Sequence, residues 1–84
     1  MKFGDVILFL REGRSVTRKG WNGKGQYLTL QVPDENSKMT LPYIYITTVQ
    51  GDRVPWLASQ TDMLAEDWEI QYFMPLEENQ KNDS

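Results

Sequence analysis

The chemically useful side chains of this sequence concentrate in a glycine-rich segment, residues 18–25, which reads RKGWNGKG. Glycine permits positive φ angles, so successive backbone N–H groups of such a loop can turn toward one point and bind an anion. Arg18, Lys19 and Lys24 add positive charge, which suits a phosphate. Trp21 places a large ring in the middle of the loop, where it can stack on a nucleobase. These features together describe a nucleotide site.

The same segment is also compatible with a plain hairpin loop. In that interpretation the lysines are solvated and Trp21 folds back on the sheet, although the loop itself offers the ring little local core. Asn22 and Gly23 form a strong hairpin signal. The glycine spacing matches neither the Walker nor the Rossmann phosphate-binding pattern, so spacing alone favours the plain loop.

A second polar cluster lies just before a predicted helical turn. Ser59, Gln60 and Thr61 offer hydroxyl and amide groups that suit ribose hydroxyls or phosphate. The alternative is ordinary helix capping by Ser59 or Thr61, with Trp56 and Leu57 in the core. Composition alone favours capping.

Carboxylates cluster at Asp62, Glu66 and Asp67, and the first two are spaced i, i+4 on one helical turn. In an enzyme this spacing would serve acid–base chemistry or Mg²⁺ binding. The alternative is a solvated acidic face. No EF-hand or other ligand spacing is present, which favours the solvated face and predicts no metal site.

Composition narrows the classes of function. The chain has 84 residues, no cysteine and no histidine, which predicts one domain without disulfides or Ser-His and Cys-His catalytic pairs. Only 39% of the residues are hydrophobic, so a single chain would have a thin core. Since disulfide and histidine–metal staples are excluded, we expect subunit contacts to stabilise the fold. No cofactor is predicted.

Charge is distributed unevenly along the chain. Residues 1–25 carry six basic and two acidic side chains, giving +4, whereas residues 26–84 carry three basic and ten acidic, giving −7. The acidic balance argues against binding of extended nucleic acid, while the basic third can hold a small anion. No apolar run approaches the length of a membrane span, and the amino terminus lacks a signal-peptide pattern. The cytoplasm is the expected compartment.

The elements that must position these groups are short. Residues 3–12 predict a helix with Asp5 at its start and Gly13 after its end. The apolar stripe of this helix consists of Phe3, Val6, Ile7 and Leu10. Leu8 and Phe9 lie outside the stripe and suggest contact with a neighbouring subunit.

The rest of the chain predicts an antiparallel sheet. The predicted strands are 15–19, 26–32, 41–49, 53–57 and 68–72. One helical turn precedes the last strand, and its Met63 and Leu64 are expected in the core with Trp68 and Ile70. The fold class is therefore α+β: a short amino-terminal helix, an antiparallel sheet of about four to five short strands, and one helical turn before the last strand. We expect a single domain over residues 1–75 and a disordered polar tail over 76–84.

Two segments carry a resemblance to a known family. RKGWNGKGQYL (18–28) and PWLASQTDMLAEDWEI (55–70) resemble the small phage proteins of the second Thoeris anti-defence family, and the likeness extends over residues 3–72. Gln26 stands where methionine is frequent in that family. The resemblance implies a sponge, not an enzyme, which binds a cyclised ADP-ribose immune signal and holds it without degrading it.

The resemblance also implies partners and a site. Family members form homotetramers with the ligand between subunits, and some also bind cyclic oligonucleotides at a separate site. Within the two segments, we expect these residues to bind the ligand: Arg18, Trp21, Asn22, Gly23, Lys24, Ser59, Gln60, Thr61 and Asp62. Two competing functions remain open: a small nucleotide hydrolase using the carboxylates, and a nucleic-acid- or protein-binding module using the basic hairpin.

Overall fold

One helix lies across one face of a five-stranded antiparallel sheet in the computed structural model, which describes residues 1–72. The elements in chain order are α1 (Phe3–Arg11), β1 (Val16–Arg18), β2 (Tyr27–Gln31), β3 (Tyr43–Thr47), β4 (Arg53–Pro55), α2 (Gln60–Leu64) and β5 (Trp68–Ile70). This confirms the predicted α+β fold, including the short helix before the last strand. The predicted tail lies outside the described residues.

The order of strands across the sheet is β4-β3-β2-β1-β5, and every neighbouring pair is antiparallel. The predicted hairpin of β1 and β2 is present. The last strand pairs with the first, so the carboxyl end of the described chain returns to the helix and the basic hairpin. Pro55 ends the edge strand β4. Proline has no backbone N–H to donate, and on an edge strand the inner strands of the sheet lose no hydrogen bond by this.

Local signals account for the limits of α1. The Asp5 carboxylate accepts the backbone N–H of Lys2 at 3.3 Å, which satisfies one free donor at the start of the helix. Gly13 has a φ of 87°, a left-handed conformation that ends the helix at little cost for glycine. Val6 and Leu10 are fully buried, as the predicted stripe requires, and Leu8 is 62% exposed.

The hydrophobic core is small because α1, the helix that covers the sheet, is short. The buried hydrophobic side chains within residues 1–72 are Val6, Leu10, Val16, Leu28 and Trp68. The nine-residue α1 contacts β1, β2 and β5 but leaves the β3–β4 half of the same face open. Burial of Met63, Leu64 and Leu57 was expected, and this is wrong: Leu64 and Leu57 are 77% and 90% exposed. The helical turn that carries Met63 and Leu64 is too short to lay a second apolar stripe on the sheet.

Candidate functional site

Pairing of β1 with β5 brings the two polar segments of the sequence together. Arg18 lies directly opposite Trp68 in the register, and the Lys19 backbone N–H donates to the Asp67 carbonyl at 3.2 Å. The glycine-rich loop leaves β1 at this end, and α2 enters β5 from the same end. The loop and the helical turn therefore face each other, although their sequence positions are more than 40 residues apart.

Arg18 is bound by two carboxylates at this junction. Its Nε and Nη2 donate to the two oxygens of Asp67, at 2.7 and 3.3 Å, and its Nη1 donates to Asp62 Oδ1 at 2.8 Å. The side chains of Arg18 and Asp62 are each only 15% exposed. The guanidinium thus directs its donors to the protein itself, which does not support the phosphate-gripping role considered for it. We call Arg18, Asp62 and Asp67 the arginine brace.

The arginine brace corrects the interpretation of the acidic cluster. Asp62 and Asp67 were expected on a solvated face, and this is wrong for both because each binds Arg18. Glu66 alone of the three is exposed. Within residues 1–72, no three carboxylates lie close enough together to form a group that could hold a metal ion.

Gly20 connects the backbone of the loop to the arginine brace. Its N–H donates to Asp67 Oδ2 at 2.7 Å, and a Cβ at this position would lie 2.7 Å from the same oxygen. A larger residue would therefore push the carboxylate away. The anion that this backbone N–H binds is the Asp67 carboxylate of the same chain. One of the donors expected to form an anion nest for a ligand is therefore already used.

Hydrogen bonding keeps both carboxylates ionised. Burial raises the pKa of Asp62, but hydrogen bonds from Arg18 and Trp21 outweigh it, so the net pKa is lowered from the ordinary 3.8. The hydrogen bond from Arg18 is the largest influence on Asp67 and lowers its pKa as well. The two carboxylates in turn raise the pKa of Arg18. Neither aspartate is suited to act as a general acid near neutral pH.

Trp21 is held by two contacts. Its Nε1 donates to Asp62 Oδ1 at 3.1 Å, and its ring meets the ring of Trp68 edge-on at 5.4 Å between centroids. Trp68 is 2% exposed and also contacts Trp56 at 6.1 Å. The expectation that the Trp21 ring has little core to enter is therefore wrong, because β5 supplies Trp68 beneath it. Trp21 remains half-buried, with part of its surface free.

Beside Trp21 lies an open cavity of about 220 Å³. Of the predicted ligand-binding residues, Trp21, Asn22, Gly23 and Asp62 line it. Three further lining residues, Gln26, Ile46 and Trp56, were not predicted. The alternation of the third strand places Ile46 on one face, but only the pairing of the strands brings that face to the loop.

The other predicted residues lie around this cavity without lining it. Ser59 is the N-cap of α2, because its Oγ accepts the Asp62 backbone N–H at 3.1 Å, which confirms the capping interpretation. Gln60 and Thr61 are exposed in the first turn of α2. Lys24 is exposed and donates to the Lys19 carbonyl at 3.1 Å.

The walls of this cavity thus combine two indole rings, the Asp62 carboxylate and part of the glycine-rich loop. Residues 1–71 match the Tad2-like family, described as the Thoeris anti-defense 2-like domain, and the chain belongs to this family. The class of protein is thus that of phage anti-defence proteins. The chain is 36% identical to a curated protein of Bacillus phage SP01 named "Thoeris anti-defense 2", over 83% of this chain and 93% of that protein. The described residues contain no helix long and apolar enough to cross a membrane.

Substitution of Trp21 separates packing from hydrogen bonding. Trp21→Ala removes a half-buried ring, and we expect a loss of about 1–3 kcal/mol in the free energy of unfolding, below the roughly 3–5 kcal/mol of a fully buried tryptophan. Trp21→Phe keeps the ring contact with Trp68 and loses only the bond to Asp62, so it should cost about 1 kcal/mol. Urea unfolding measures both. If Trp21→Ala unfolds like the wild type, the ring does not pack on Trp68.

The arginine brace predicts acid sensitivity. The pKa values of Asp62 and Asp67 are lowered in the folded chain, so the stability from their ionised forms is fully present above the ordinary carboxyl pKa, 3.8. It is lost as the pH falls from that value through the lowered folded pKa values. Asp67→Asn should lower the melting temperature at pH 7 and flatten its decline below pH 4, as recorded by circular dichroism. Glu66→Gln, one residue away on an exposed side chain, is the matched control and should change neither.

Proposed function

We propose that this protein sequesters a cyclised ADP-ribose immune signal of the Thoeris system without degrading it, so that the downstream effector stays inactive. The observation that carries the proposal is the meeting of the two family-like segments at one cavity, with Trp21 and Asp62 in contact on its wall. The name of the phage relative, "Thoeris anti-defense 2", supports the same immune system as target. The site of action proposed is the cytoplasm of the infected bacterial cell.

The cavity offers each part of such a ligand a suitable group. Trp21 and Trp56 can stack on the base, since aromatic stacking contributes about 1–3 kcal/mol per base. The ionised carboxylate of Asp62 accepts hydrogen bonds from ribose hydroxyls. Lys19 and Lys24 are exposed and form no ion pair within residues 1–72, so their charge is available to phosphate in place of Arg18.

The size of the cavity supports a ligand held between subunits. Its volume of about 220 Å³ is smaller than the roughly 300–1,000 Å³ of ordinary small-molecule sites. It has room for one ring system, whereas a cyclised ADP-ribose also carries two riboses and a diphosphate. The rest of the ligand must contact other surfaces, and a second copy of this chain in a homotetramer supplies them in our proposal.

Exposed apolar surface supports assembly as well. The uncovered half of the helix-bearing sheet face forms a groove of about 580 Å³ beside α1. Its walls are mostly apolar and include Ile44, Trp56 and Leu41, the last of which is 75% exposed. Surfaces of this kind on a small protein are typical of protein interfaces.

Sequestration fits the chemistry of the arginine brace better than hydrolysis does. A hydrolase that used these carboxylates for acid–base chemistry would need one of them to be free to give or take a proton near neutral pH. Asp62 and Asp67 have lowered pKa values and are bound to Arg18. A sponge must instead bind more tightly than the effector, which sets nanomolar affinity, about −12 kcal/mol, as the expected scale.

Ligand capture tests the proposal directly. The protein is incubated with lysate from cells whose Thoeris system is activated, washed, and denatured, and the released nucleotide is identified by mass. We expect an intact cyclised ADP-ribose in a constant amount over time. Lysate without activation is the control. Release of a hydrolysed product, or of no nucleotide at all, would contradict sequestration.

Light scattering tests the assembly. We expect a mass near four times the 9.8 kDa of one chain at micromolar concentration. Because the groove beside α1 is the proposed contact surface, Leu41→Asp should lower that mass, since a charge would be buried without a partner. Lys38→Asp, on an exposed side chain three residues earlier, is the control for added charge. A wild-type mass near 10 kDa would overturn the proposal of a tetramer.

A further inference from the structure

We propose that Gln26 determines base specificity by hydrogen bonding to the edge of an adenine ring stacked beside Trp21. This inference rests on the proposed function only in taking an adenine nucleotide as the ligand. Gln26 lines the same cavity as Trp21 and Asp62, and its side chain is partly buried. It follows the glycine-rich loop directly, at the point where the chain enters β2.

The amide of Gln26 is fixed in one orientation. Its Nε2 donates to the Gly23 carbonyl at 3.1 Å, and a flipped amide would set two carbonyl oxygens against each other. Its own backbone carbonyl accepts the Thr17 hydroxyl at 2.7 Å, which anchors the residue to β1. A Cβ at position 23 would lie 2.6 Å from Nε2, so the close approach that fixes the amide depends on glycine there.

This orientation leaves one acceptor and one donor for a ligand. The Oε1 atom and the second N–H of Nε2 form no hydrogen bond to residues 1–72. An amide that offers an acceptor and a donor matches adenine, which presents its amino group beside a ring nitrogen. Hypoxanthine carries a carbonyl oxygen where adenine carries the amino group, so it would face Oε1 with a second acceptor.

The other polar groups of the cavity are less suited to this role. Asp62 is ionised and accepts only, and its Oδ1 already binds Arg18 and Trp21. Asn22 has the same amide chemistry as Gln26, but it is exposed and forms no hydrogen bond with the described residues that would fix its orientation. A pre-positioned amide discriminates between bases because a wrong base leaves its polar atoms unpaired.

The test compares adenosine and inosine monophosphate as probes, by calorimetric titration of the full chain. We expect the wild type to bind the adenine nucleotide roughly 5- to 150-fold more tightly, the usual effect of one two-point base contact. Gln26→Met has nearly the same shape without the polar atoms, and it should bring that ratio close to one. Gln31→Met, the same substitution at the far end of β2 and outside this cavity, is the matched control and should leave the ratio unchanged.

A ratio is the chosen readout because loosening of the loop would weaken both probes alike. Equal binding of the two probes by the wild type, no binding of either, or an unchanged ratio in Gln26→Met would overturn the inference. The same titrations with cyclised ADP-ribose separate it from the proposed function. If the wild type prefers adenine but does not retain cyclised ADP-ribose, only the sponge function is rejected. If the wild type and Gln26→Met both retain cyclised ADP-ribose and neither shows a base preference, only the role of Gln26 is rejected.

Discussion

The ionic contact of Arg18 with Asp62 and Asp67 is the interaction on which the rest of the site depends. It joins the end of the first strand to the short helix and to the start of the last strand. Gly20 and Trp21 also donate hydrogen bonds to these carboxylates, Gly20 to Asp67 and Trp21 to Asp62. The glycine-rich loop is thus positioned by two aspartates that lie more than 40 residues later in the sequence. A partly buried ion cluster contributes more to a defined geometry than to net stability, because desolvation offsets much of its Coulombic energy.

The hydrophobic core beside the arginine brace is thin. A helix of nine residues covers only part of a five-stranded sheet, and five buried hydrophobic side chains form the core of residues 1–72. Trp68 links the two regions, because its ring lies in the core while its Nε1 donates to the Asp62 carbonyl at 2.9 Å. The ring of Trp21 packs on the outer side of this core. The residues that shape the cavity are thus extensions of the core and not independent surface groups.

Much of the fold was predictable because local interactions determine it. Alternation in YLTLQ and YIYIT predicted β2 and β3, and the apolar stripe with Asp5 and Gly13 predicted α1. The capping role of Ser59 follows from its hydroxyl and the N–H three residues later. Burial was less predictable: Leu57 and Leu64 are as apolar as Leu28, yet only Leu28 lies under the helix.

The helices and strands, the α+β class, the family and the two polar segments could all be inferred from the order of the residues. The contacts between those two segments could not, because they depend on which strands pair. Arg18 looked like a ligand for phosphate, and its neighbours in sequence are basic and polar. Its actual partners are 44 and 49 residues away, and the pairing of β1 with β5 brings them within 3 Å. The alternation of side chains along a strand shows which face of the sheet each residue occupies. It does not show which other strand will pair with that strand.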